Sequence, residues 1–335
     1  MAQPIRQEQS EHITTGRTRR RGLRSSRDIT PLPIPGPARE RQLLEAALAG
    51  RFKIRRLVGR GGMSSVYLGW DHALERKVAI KVLAPEFEKQ IEDRERFRRE
   101  ARIAGTLFHP NIVPVYASEK QNGLTFVVMH YVAGPTLAAR LESVGALPVD
   151  EAVDILCSIA DALDAVHRIG VVHRDIKPDN ILLEETTGRP MLSDFGVATV
   201  ATSEHSRSEV TKALGTPHYM SPEHALGEQA CDGRSDLYSL GVVAFRMLTG
   251  RLPFTGSSAQ SIVAQHVALE APPVHHYAPH VSEEICAVID RCLAKDPARR
   301  WPDAEAFQIA LLRAAEGRRR FPGNLFTSFR RLLKR

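Results

Sequence analysis

Four cysteines in 335 residues, Cys157, Cys231, Cys286 and Cys292, make no Cys-x-x-Cys pair and no Cys/His ligand spacing. That excludes a zinc-stapled fold and a disulfide framework, and scattered thiols of this kind suit a reducing compartment. Long apolar runs are missing too, since no stretch approaches the ~18–20 residues a membrane span needs. The basic N-terminus is not followed by an apolar core, so no secretory signal is expected. Charge is unevenly spread: residues 317–335 hold seven Lys/Arg and no Asp or Glu. Residues 1–50 hold nine Arg against five acids. The net charge of +7 therefore belongs to the two ends, and residues 51–316 carry −4. Basicity so placed gives no reason to expect a nucleic-acid partner. What is present, 43% apolar and 25% charged residues, is enough for one two-lobed domain or two ordinary ones.

The stretch His173-Arg174-Asp175-Ile176-Lys177-Pro178-Asp179-Asn180 stands between the apolar pair Val171-Val172 and the run Ile181-Leu182-Leu183. A polar loop between two short strand-like pieces is costly unless its groups are satisfied or used. Asp175 is a carboxylate able to take a proton from a hydroxyl. Lys177 can neutralise a transferring phosphoryl group. Asn180 offers a neutral oxygen of the kind magnesium takes. Nineteen residues after Asp175 comes Asp194-Phe195-Gly196, a second carboxylate beside a flexible glycine.

Upstream, a strand-like run from Phe52 to Val58 leads into Gly59-Arg60-Gly61-Gly62-Met63-Ser64-Ser65-Val66, and Val66-Tyr67-Leu68 reads as the returning strand. Small residues there let backbone amides approach phosphate oxygens. By itself the glycine pattern is a weak signal. Val78-Ala79-Ile80-Lys81 then reads as a strand whose alternation sets Val78, Ile80 and Val82 on one face and Ala79 with Lys81 on the other. A charged helix is expected from about Phe87 to Leu107, with Glu100 in it. Strands are expected near Ile112–Ala117 and Leu124–Met129, and a helix from Asp150 to Ile169.

In this order the motifs resemble those of the bacterial branch of the eukaryotic-like (Hanks-type) serine/threonine protein kinases, over roughly Arg51 to Ala314. The resemblance implies an α+β, two-lobed fold, with a small antiparallel-sheet N-lobe at 51–129, a hinge at 130–134 and a larger helical C-lobe at 135–314. It implies ATP with magnesium, or manganese as a substitute. Lys81, held by Glu100, would bind phosphates, and Asn180 and Asp194 would hold the metal. Asp175 would accept the proton, assisted by Lys177. Val58, Gly59, Gly61, Gly62, Ser64, Val66, Ala79, Met129, Tyr131, Val132 and Leu182 would surround the nucleotide. Ser64 stands where the family usually has a third glycine, and His130 where glutamate is commoner. Thr216, Glu223, Asp236 and Arg300 match structural positions: a substrate-docking threonine, a buried Glu–Arg pair, and an aspartate bracing the catalytic loop. His167 and His173 fall at structural positions, which weighs against metal ligation.

The segment from Asp194 to Ser221-Pro222-Glu223 is rich in hydroxyls, and Ser208 and Thr211 are its candidate phosphorylation sites. A phosphate there brings about −1.5 to −2 charges and would pair with Arg174. Protein Ser/Thr substrates follow from the resemblance, with a transient homodimer for autophosphorylation in trans. The rival readings are a small-molecule phosphotransferase of similar fold and a pseudokinase. Lys177 argues against the first, and the presence of Lys81, Asp175 and Asp194 against the second.

The flanks read differently. Residues 1–37, with Arg19-Arg20-Arg21 and a proline-rich run, form an arm expected to be disordered, either regulatory or simply solvated. A short helix near 40–49 is expected from Leu43, Leu44, Ala47 and Leu48, closed by Gly50. At 315–335, Leu325, Phe326, Phe329, Leu332 and Leu333 share one helical face and Arg330, Arg331, Lys334 and Arg335 the other. That pattern suits either an anionic membrane surface or docking on the kinase or a protein partner. A cytoplasmic location follows, peripheral at the inner membrane face in the first case.

Overall fold

A computed structural model describes residues 37–194, 217–228 and 231–316. The arm at 1–36, Phe195, Gly196, the candidate sites Ser208 and Thr211, Thr216, and the tail at 317–335 lie outside the described residues.

Five antiparallel strands build the N-lobe: β1 (Phe52–Arg60), β2 (Ser64–Asp71), β3 (Arg76–Leu83), β4 (Val115–Gln121) and β5 (Leu124–His130), in the order β1-β2-β3-β5-β4. Period-two alternation in β3 sends Val78, Ile80 and Val82 into one apolar cluster with Phe126 and Val128 of β5. The N-terminal helix α1 (Pro37–Ala47) and the residue just past it complete that cluster with Leu44, Ala47 and Leu48. On the opposite face, Leu83 and Val127 pack against Phe97 and Ala101 of α3 (Ile91–Thr106). The sheet is therefore covered on both sides, and the core of the N-lobe begins upstream of residue 51. Helix α1 runs from 37 to 47, not 40 to 49, and Leu43 is exposed on its outer face.

Three other expectations shift. The helix foreseen over Phe87–Leu107 is two pieces, a single turn α2 (Pro85–Glu88) started by Pro85, and α3. Between them Gln90 is extended, which leaves Glu92 and Asp93 in the first turn of α3, where the helix dipole favours acids. The strand expected at Ile112 starts only at Val115, because Pro114 has no amide to give the ladder. Instead Val113 N donates to Leu192 O at 2.9 Å and Leu192 N donates to Asn111 O at 2.8 Å, a parallel bridge that sets Ile112 beside Leu192 of the lower lobe. Val171-Val172 is not a strand, whereas Ile181–Leu183 (β6) pairs antiparallel with Pro190–Leu192 (β7).

The C-lobe is helical: α4 (Leu137–Val144), α5 (Val149–Arg168), α6 (Pro222–Ala225), α7 (Gly233–Thr249), α8 (Ala259–Ala268), α9 (Val274–Tyr277), α10 (Glu283–Cys292) and α11 (Ala304–Glu316). Helix α7 is apolar nearly all round and buried accordingly, with α5, α10 and α11 against it in one core. None of the described helices is long and apolar enough to cross a membrane.

The link between lobes is bonded to the lower one. Leu183 N donates to Pro135 O at 2.9 Å and Glu185 N to Ala133 O at 2.6 Å. Gly134 lies between them with φ +139°, and a Cβ there would stand 1.9 Å from Leu183 O. Only glycine fits.

Candidate active site

The loop His173–Asn180 is held from below by one carboxylate. Asp236, buried in the first turn of α7, accepts from the amides of His173 and Arg174 at 2.8 Å each and from His167 Nε2 at 2.7 Å. Burial alone would raise its pKa, but the imidazole and amide donors hold it below the usual carboxylate range. Arg174 has φ +66°, an uncommon conformation for a side chain that carries a Cβ, and the bond from its amide to Asp236 helps keep it there.

His173 is fully buried, and burial lowers its pKa, so its ring is neutral. Its Nε2 lies 3.2 Å from Ser193 O and its Nδ1 accepts from Asp175 N at 3.3 Å. That pattern fixes the proton on Nε2, and the ring ties the loop to the strand leading to Asp194. Above it, Lys177 Nζ lies 2.7 Å from Asp175 Oδ2, and Asn180 Nδ2 donates to the same oxygen at 2.9 Å and to Asp175 O at 2.8 Å. Asp175, Lys177 and Asn180 thus form one hydrogen-bonded group.

Lys81 from β3 meets Asp194 at 2.9 Å. Burial would lower the pKa of Lys81, but Asp194 and Glu100 outweigh it and the ammonium stays charged. Asp194, which burial would raise, is held low chiefly by Lys81. The partner expected for Lys81 was Glu100. Among the described residues no ion pair within 4.0 Å joins the two. Burial, only partly offset by Lys81, pushes Glu100 up to about 7, so part of its charge is lost near neutral pH. Glu100 still lines, with Lys81, Asp194, Phe97, Met129 and Ser193, a cavity of about 40 Å³ behind the cleft. That is room for a few waters.

The glycine-rich segment is the tip of the β1–β2 hairpin. Gly59 pairs with Val66 and Arg60 with Ser65, and Gly61 N donates to Ser64 O at 2.8 Å. A Cβ on Gly59 or Gly62 would meet nothing within 4 Å, and one on Gly61 only Ser64 O at 3.7 Å. The fold itself does not demand glycine here; what the bare backbone permits is close approach by a ligand. Val58 is exposed, Ala79 pairs with Met129, and Met129 with Leu182 packs on Val113, Val132 and Met191. Tyr131 Oη accepts from Arg56 Nη2 at 3.3 Å, which ties β1 to the interlobe link. His130 is the last residue of β5, paired with Val78, and so belongs to the sheet and not to the link.

Two supports lie deeper. Arg300, 1% exposed, grips Glu223 with bonds of 2.7 and 2.9 Å and gives its other N–H groups to the carbonyls of Ala294, Arg234 and Lys295. Desolvation of Glu223 is outweighed by Arg300 and Ser235, and its pKa is lowered. The second support was not foreseen. Lys295 Nζ donates to His266 O at 2.8 Å and to Tyr238 Oη at 3.2 Å, Tyr238 Oη lies 2.9 Å from His266 Nδ1, and His266 Nε2 lies 3.0 Å from His218 O. Proton donation runs one way, from Lys295 through Tyr238 and His266 to the short turn Pro217–Tyr219 that directly follows Thr216. A lone histidine on the apolar helix α8 was the one available signal.

A sequence-family profile described as "Protein kinase domain" matches residues 52–311. The chain is 40% identical over 277 residues to the serine/threonine-protein kinase PrkC of Bacillus subtilis, covering 83% of this chain and 42% of that protein. It is 38% identical over 275 residues to the serine/threonine-protein kinase PknB of Mycobacterium tuberculosis, covering 81% and 44%. The chain therefore spans less than half the length of these relatives. Among solved structures, the kinase domain of PknI from Mycobacterium tuberculosis superposes with a TM-score of 0.64 at 29% identity, over 79% of this chain and 96% of that one. Rad53 residues 1–466 in complex with AMP-PNP gives 0.64 at 27% identity, over 77% and 64%.

Proposed function

The chain belongs to the protein kinase domain family, and from that premise we propose that it is an ATP-dependent serine/threonine protein kinase. The observation that carries the reading is the bonded group of Asp175, Lys177 and Asn180 together with the Lys81–Asp194 pair, charges and oxygens of the kind phosphoryl transfer requires. The donor set fits a hard divalent cation: the oxygen of Asn180, held by the loop, and the carboxylate of Asp194, kept ionised. We assign these two to magnesium. ATP with its metal supplies the phosphoryl group and part of the charge neutralisation when bound.

The remaining chemistry falls to the side chains. Lys81 meets phosphate oxygens with a charge that its buried surroundings preserve. Asp175 orients the acceptor hydroxyl and takes its proton, while Lys177 beside it balances negative charge as the phosphoryl group moves. Glu100 positions Lys81 when ionised. Catalysis of this kind rests on placement and field more than on covalent steps. Serine and threonine in other polypeptides are the acceptors, and Ser208 and Thr211 of this chain are acceptors in autophosphorylation.

The test is incubation of the protein with labelled ATP and magnesium, with and without a general protein acceptor, followed by site mapping. Transfer to protein hydroxyls is expected, with phosphate between Thr199 and Thr211. In Asp175→Asn, transfer is lost while nucleotide affinity stays within a few-fold. Unchanged turnover in that variant would refute the assigned mechanism, and transfer to a metabolite but to no protein would reassign the substrate class.

A further inference from the structure

Glu40 is a charged residue with almost no contact with water, 1% exposed, in a helix that lies upstream of the family match. Isolated buried carboxylates are costly, so its partners show what it is for. Oε1 accepts from Tyr67 Oη at 2.7 Å. Oε2 makes no hydrogen bond and faces Arg60 Nη2 at 3.7 Å. Tyr67 belongs to β2, and Arg60 to β1 between Gly59 and Gly61. One carboxylate therefore touches both strands of the glycine-rich hairpin.

That hairpin has little else to fix it. From Arg55 to Arg60 every residue of β1 is exposed, and the pairing with β2 is irregular between Ile54 and Arg56 and again between Leu57 and Gly59. Core packing cannot hold such a segment, and glycines make it softer. Near the interlobe link it is tied by Arg56 to Tyr131; near the tip it is tied by Arg60 to Glu40. Glu40 itself stands on a firm base, because Leu44 and Leu48 anchor α1 in the sheet core. The structure thus sets a rigid external element against the part of the site that must close on phosphates.

We propose that Glu40 is a positioning residue for nucleotide binding: α1 acts as a latch on the outside of the N-lobe, and its contact with Tyr67 and Arg60 sets the affinity for ATP. The proposal rests on the kinase reading above, and it makes α1 part of the catalytic domain in function as well as in packing.

The test uses the full chain and reads binding of a fluorescent ATP analogue with magnesium, beside kcat and the KM values for ATP and for a protein acceptor. Glu40→Ala is expected to weaken analogue binding and raise KM for ATP by about 5- to 10-fold, with kcat and acceptor KM within about twofold. Glu40→Gln, which keeps a bond to Tyr67 but not the attraction for Arg60, should lose about 2- to 3-fold. Folded Glu40→Ala with analogue affinity unchanged overturns the proposal, as does a parallel shift of both KM values and kcat, the mark of general destabilisation. Should Glu40→Ala fail to fold, Tyr67→Phe decides, since it removes one hydroxyl: selective loss of ATP affinity supports the latch and unchanged affinity sinks it. A wild-type chain that binds no nucleotide at all would bring down the kinase reading and the latch together.

Discussion

Arg300 and Glu223 make a buried ion pair in which all five guanidinium N–H groups have acceptors, two of them carboxylate oxygens and three backbone carbonyls. Pairs of this kind add little net stability over an apolar substitute, but losing one partner strands a buried charge. Arg300→Met should therefore lower unfolding free energy by about 3–5 kcal/mol in urea titration. Arg300→Lys should recover little, because an ammonium cannot reach acceptors spread around a plane. The two ends of this pair were legible in the sequence only through the family resemblance; 77 residues separate them and no local pattern links them. The group Asp175, Lys177 and Asn180 was legible locally, since its members are neighbours in one short loop, although Asp236 braces that loop from another element. The partner of Lys81 was not. Glu100 and Asp194 line one cavity with Lys81, and which of the two comes within ion-pair distance is a property of the folded chain. The same holds for Lys295, Tyr238 and His266, which come from a loop and two separate helices.

At the scale of elements, α1 is the clearest case of a segment whose role exceeds its signal. Its apolar spacing foretold a helix, but Leu43 and Leu44 look alike in sequence and only Leu44 is buried. Leu44→Ala should cost roughly 2–5 kcal/mol by removing atoms from a closed core. Leu43→Ala, at an exposed position, should change stability by no more than about 0.5 kcal/mol. Thermal or urea unfolding of the two variants side by side checks the contrast, and equal losses would mean that α1 does not seat as described. Strand limits were misjudged where a single residue decides the ladder. Pro114 delays β4, and Val171-Val172 has β-forming side chains but, among the described residues, no strand that pairs with it. Propensity marks a candidate strand, whereas the availability of a partner makes one.

For the molecule as a whole, the two-lobed α+β architecture was legible through the family resemblance that the order of motifs carries. Its response to acid was not. His130, His173, His218, His224 and His266 all have pKa values lowered by burial. A group whose folded pKa lies below its unfolded one adds stability that is complete above the unfolded value, near 6.5 for histidine, and is lost as pH falls. For His266, lowered to about 4, the loss runs from about 6.5 down to 4. Glu100 acts in the opposite sense: raised to about 7, it favours the folded state most below about 4.5 and less as pH rises through 7. Five histidines outweigh it, so the urea midpoint should fall between pH 7 and pH 5. His266→Gln should flatten that fall and Glu100→Gln should steepen it, and a midpoint independent of pH in this range would contradict the argument. The interlobe link carries a last consequence for movement. With residues 133–135 stitched to the lower lobe by backbone bonds at Leu183 and Glu185, and His130 fixed in the upper sheet, the hinge pin is only Tyr131 and Val132. Any change in the angle between the lobes would turn on this two-residue axle, and a side chain at Gly134 would jam its bearing.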